Sequence, residues 1–163
     1  MKRLLLAFGL LAACKSDAPG VGPPPPAPTV VAGPKLAFVA APAGDVAEVV
    51  RAERDRAHAE KKRILVYVGA TWCEPCKRFH EAASSGSLDA KLPSIRFVEF
   101  DLDRDEDRLK AAGYTSQYIP LFAAPLADGR ASGKQIAGSV KGPGAPDEIT
   151  PRLLSLLAEA TGA

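Results

Sequence analysis

Two cysteines separated by two residues, Cys73 and Cys76, close the stretch Val66-Tyr67-Val68-Gly69-Ala70-Thr71-Trp72-Cys73-Glu74-Pro75-Cys76, and Lys77 follows them. The apolar residues before the pair read as a buried strand, and the thiols then fall in the first turn of a helix. A thiol at a helix N-terminus meets unpaired backbone N–H groups and the positive end of the helix dipole, both of which favour thiolate over thiol. Cys73 is therefore a nucleophile at neutral pH. The spacing puts Cys76 one turn further on, within disulfide reach, and Pro75 suits an early helix position. The chemistry that follows is the reversible closing and opening of a disulfide.

The pair needs a scaffold, and the remaining pattern supplies one. Lys35 to Ala40 reads as a first strand. Asp45, with Glu48 three residues later, caps a helix over residues 45–61 whose outer face is charged, as a solvated face would be. Ile64 to Val68 is continuously apolar, as expected of a strand buried on both faces. The helix bearing the thiols continues through residues 77–83 with Phe79 turned to the core, and residues 84–94 form a loop with a turn at Leu88 to Leu92.

A strand over residues 95–102 and a helix over residues 103–112 follow, the latter ending at Gly113. The acidic run Asp101, Asp103, Asp105 invites a calcium loop, but Glu106 stands where that loop needs glycine and Ala112 where it needs glutamate. Leu121 to Ala124 is another apolar run, Asp128-Gly129 a turn, and residues 135–140 a strand. Thr150 as N-cap and Pro151 at the first helical position start a last helix, with Leu153, Leu154, Leu156 and Leu157 on its apolar face. Alternating strands and helices give the α/β class, one central mixed sheet flanked by helices, and about 120 residues suffice for a single core.

Residues 1–13 combine a basic start at Lys2 and Arg3 with an apolar run too short to span a bilayer, the pattern of a secretory signal. The small residues before Cys14 resemble a bacterial lipobox, which makes Cys14 a lipidated first residue; the alternative is an ordinary cleaved signal with an incidental cysteine. The count of 3 cysteines then divides into one anchor and one redox pair. Lys15 and Ser16 after the anchor point to the outer membrane rather than the inner. Residues 14–34, rich in proline, read as an extended tether of about 3 Å per residue, and residues 35–163 as the folded domain. A net charge of +2 gives no footing for a nucleic-acid site.

The sequence Trp72-Cys73-Glu74-Pro75-Cys76-Lys77 after an apolar strand resembles the active site of the thioredoxin superfamily, and the resemblance covers residues 44–142. It extends to bacterial envelope members, including the C-terminal domain of the transmembrane thiol:disulfide interchange protein. The resemblance implies a cis peptide before Pro120, opposite the cysteines and presenting backbone to a substrate chain, and a role for Trp72 as a lid over the thiols. Two departures stand out. Tyr67 occupies the place of the buried aspartate that helps deprotonate the resolving thiol, and Glu74 replaces a glycine, its charge opposing the Cys73 thiolate and making the pair more reducing.

His80 falls one turn beyond Cys76 on the same helix face and reads as a surface residue before it reads as a proton relay. His58 has no partner in view, and nothing local singles out Asp89, Glu99 or Asp101 as the acid nearest the thiols. The expected function is a thiol-disulfide oxidoreductase of the bacterial envelope, facing the periplasm, that reduces exported proteins and is recharged by a membrane electron donor. It needs no cofactor or bound metal. Thiol oxidase or isomerase action, a lipid-anchored copper chaperone and a non-catalytic binding module are the alternatives.

Overall fold

The structure, a computed structural model, describes residues 35–161. The residues read as a signal (1–13), Cys14 and the stretch read as a tether (14–34) therefore lie outside the described residues. Nine elements follow in order: β1 (Leu36–Ala40), α1 (Val46–Ala59), β2 (Arg63–Gly69), α2 (Glu74–Ser84), β3 (Ile95–Asp101), α3 (Leu102–Ala111), β4 (Leu121–Pro125), β5 (Ala131–Ala137) and α4 (Ala145–Thr161). The five strands form one sheet in the order β1-β3-β2-β4-β5. β1 and β2 run parallel to β3, while β4 runs antiparallel to β2 and to β5. The mixed sheet flanked by helices is the architecture the sequence implied.

Strand alternation explains why β2 is apolar throughout. Leu65 and Tyr67 point to one face, where Phe97, Phe122, Phe79 of α2 and Ile149, Leu153 and Leu156 of α4 cover them. Val66 and Val68 point to the other, against Val46 and Val50 of α1 and Leu109 of α3. Each fully buried phenylalanine of the first core contributes on the order of 2 kcal/mol in transfer free energy. β2 thus sits at the centre of two cores, and its last residues deliver the chain to the cysteines.

The capping reading holds for α1: the Asp45 carboxylate accepts from the Glu48 amide at 2.9 Å. Its charged run is not all solvated, however. Glu53 is buried and accepts from Arg96 Nε of β3 at 2.7 Å and from Arg56, so one acid of the helix locks α1 to the sheet. Gly129, at φ +87°, lets the β4–β5 turn approach α1 so closely that a Cβ there would lie 2.0 Å from the Ala47 carbonyl oxygen.

Two boundaries differ from expectation. α4 begins at Ala145 rather than after Thr150, and Thr150 is a buried helical residue whose hydroxyl donates to the Pro146 carbonyl at 2.7 Å. The first-turn proline is Pro146; Pro151 lies inside the helix and costs it one backbone bond. β5 spans residues 131–137, not 135–140, because pairing with β4 defines it: Leu121 faces Ala137 and Pro125 faces Ala131. Such an edge strand carries polar residues that an apolar search passes over.

Candidate active site

β2 ends at Gly69, and its missing side chain matters: a Cβ there would meet the Tyr67 hydroxyl at 2.7 Å. The chain then turns, with the Cys73 amide donating to the Ala70 carbonyl at 3.1 Å, and enters α2. Cys73 is the N-cap of α2, Pro75 lies in its first turn, and the two cysteines are disulfide-bonded with Cα atoms 5.3 Å apart. The Cys76 amide donates to Cys73 Sγ at 3.3 Å, so one of the orphan N–H groups of the helix start is aimed at the sulfur that must carry negative charge. Both cysteines are buried, on the face of the sheet shared with α2 and α4. The Ile119–Pro120 peptide is cis, as the resemblance implied, and Ile119 packs against the core cluster that contains both cysteines.

Trp72 is 62% exposed, and its indole N–H donates to Asp103 Oδ2 at 2.9 Å, which ties the turn before the cysteines to the start of α3. Glu74 reaches in two directions. Its Oε2 accepts from the Gly142 amide at 2.9 Å and its Oε1 from Arg78 Nε at 3.0 Å, and these contacts hold its pKa below the ordinary carboxylate value. The carboxylate is therefore ionised at neutral pH, with Arg78 offsetting part of its charge. The link from α2 to the β5–α4 connection was not visible in the sequence.

Beside Cys76 opens a cavity of about 380 Å³, lined among others by Tyr67, Lys77, His80 and Glu99. His80 is not a simple surface residue. Its ring lies 3.8 Å from that of Phe38 and 5.3 Å from that of Tyr67, and its Nε2 is 2.8 Å from Glu99 Oε1. Nε2 is buried and makes no hydrogen bond of good geometry. Burial, reinforced by the Glu99 charge, pushes the Tyr67 phenol well above its ordinary pKa, so it stays protonated throughout the physiological range. Of Asp89, Glu99 and Asp101, it is Glu99 that meets His80, its strand β3 pairing it with Tyr67 of β2; Asp101 caps α3 and Asp89 lies on the residue 84–94 loop. His58 lies apart, by Arg54 and Lys62.

The family model described as Thioredoxin-like matches residues 47–124. Residues 47–124 thus carry a thioredoxin-like domain. A thioredoxin of Ophiophagus hannah is 40% identical over 68 residues, covering 39% of this chain and 56% of that protein, so the chain spans little more than half of that relative. Among solved structures, a thioredoxin of Trichomonas vaginalis aligns at 19% identity over 79% of this chain and 97% of that one, with a TM-score of 0.45. A poplar thioredoxin h aligns at 19% identity over 79% of this chain and 98% of that one, with a TM-score of 0.44. Within this thioredoxin-like domain, a helix-capping dithiol beside an open cavity is suited to thiol-disulfide exchange.

Proposed function

We propose that the protein is a thiol-disulfide oxidoreductase that reduces disulfides of exported proteins from a lipid anchor in the bacterial envelope. The observation that carries the reading is the Cys73–Cys76 disulfide at the N-terminus of α2, with the Cys76 amide directed at Cys73 Sγ. In the reduced protein the Cys73 thiolate attacks a substrate disulfide, one substrate thiolate leaves, and a mixed disulfide forms. Cys76 then attacks Cys73 Sγ; the second substrate thiolate leaves, and the pair is left oxidised. The ionised Glu74 supports the reducing direction, because a carboxylate beside the pair disfavours the Cys73 thiolate. Recharging then falls to a membrane protein that passes electrons from the cytoplasm. The lipobox-like residues before Cys14 support the anchor, and the residues after it favour the outer membrane.

Trapping tests the assignment. Cys76→Ser cannot resolve the mixed disulfide, so mass spectrometry of that variant after exposure to a disulfide-bonded protein should find a covalent adduct on Cys73. A copper chaperone or a binding module gives no such adduct.

A further inference from the structure

The resolving step needs the Cys76 proton to leave, and the two groups nearest to that task by sequence do not serve it. Tyr67 stands where a carboxylate would take the proton, but its phenol is itself protonated at every physiological pH. Glu74 is turned away toward Gly142 and Arg78. What remains beside the buried thiol is the cavity that Cys76 shares with His80 and Glu99. His80 is four residues on from Cys76 in α2, on the same face. Its Nε2 is the buried side-chain polar atom that lacks a hydrogen bond among the described residues, although Glu99 Oε1 is 2.8 Å away. Phe38 of β1 lies against the imidazole, the two ring planes tilted by 31°.

From this geometry we infer that His80 takes the proton of Cys76 through the cavity and that Glu99 is the positioning residue that holds the imidazole and stabilises its protonated form. The inference rests on the proposed thiol-disulfide exchange. In the step, Cys76–SH gives its proton to neutral His80. The Cys76 thiolate then attacks Cys73 Sγ, the bond from Cys73 to the substrate sulfur breaks, and the substrate leaves as a thiolate. The imidazolium returns its proton to solvent through the same opening. The base is thus supplied by the helix bearing the thiols and fixed from the neighbouring strand. The other charged or titratable groups around the cavity are Tyr67 of β2, Lys77 of α2, Asp101 of β3 and Arg104 of α3.

The test is stopped-flow reduction of dithiobis-nitrobenzoate by the reduced protein, which releases one coloured thiolate on attack by Cys73 and a second when Cys76 resolves the adduct. His80→Gln should slow the second release about tenfold or more at neutral pH while leaving the first unchanged, and the deficit should shrink as the solution becomes alkaline. Glu99→Gln keeps the imidazole and lowers its basicity, so the pH profile of the second release should move to lower pH; this arm decides the matter even if His80→Gln fails to fold. Wild-type rates and profiles for the second release in both variants would overturn the inference, as would equal slowing of both phases with no change of profile. Failure of the wild-type protein to release any thiolate would instead overturn the proposed exchange reaction.

Discussion

Glu74 shows how one side chain sets the character of a dithiol without touching substrate. Its carboxylate is adjacent in sequence to Cys73 and opposes the thiolate, yet its partners Arg78 and Gly142 draw the charge toward themselves. The net effect on Cys73 is accordingly modest. Glu74→Gln should lower the Cys73 pKa by less than about one unit, read from the pH dependence of its alkylation, and raise the reduction potential by no more than about 30 mV. An unchanged or higher pKa would contradict the repulsion argument. Tyr67 makes the opposite case: a phenol that stays protonated takes no proton, so Tyr67→Phe should leave the pH profile of Cys76 resolution where it is in the wild-type protein. A displaced profile would assign Tyr67 a titrating role that its burial argues against.

Among the elements, α3 is held by a buried acid. Asp105 accepts from Arg104 Nη2 at 2.9 Å, from the Asp101 amide at 3.0 Å and from Arg108 Nε at 3.1 Å, while Arg108 in turn donates to the Pro42 carbonyl before α1. Burial alone would raise the Asp105 pKa, but these bonds outweigh it and lower the value. A depressed folded-state pKa means that the stabilisation is present above the unfolded value, about 3.9, and is lost as pH falls through the folded value. Asp105→Asn should therefore lose about 2 kcal/mol in urea unfolding at neutral pH, and its deficit should disappear in strong acid. A variant as stable as wild type at neutral pH would remove Asp105 from this role. Such networks mark what could and could not be read from the chain. β2, α2 and the Asp45 cap were legible because an apolar run, a proline and a capping acid act locally. The His80–Glu99 contact was not: it depends on β2 and β3 pairing Tyr67 with Glu99, and pairing register leaves no local mark. The start of α4 was misplaced because two prolines, Pro146 and Pro151, both offer the same start signal, and the buried Ala145 and Ile149 settle the choice only through tertiary packing.

For the whole molecule, the proposal joins a redox domain to a lipid anchor at Cys14. Cys14→Ala should abolish incorporation of radiolabelled palmitate and move the protein to the soluble fraction; labelling that persists would exclude Cys14 as the anchor. The central claim is that Cys73 and Cys76 form a cycling, reducing dithiol. It is tested most directly by equilibrating the protein in thiol buffers of defined potential, trapping the free thiols and reading the fraction oxidised. We expect a midpoint near the thioredoxin end of the scale, about −270 mV. A midpoint near about −120 mV would make the pair an oxidant, and a pair that stays oxidised or reduced across the whole range would contradict the account outright.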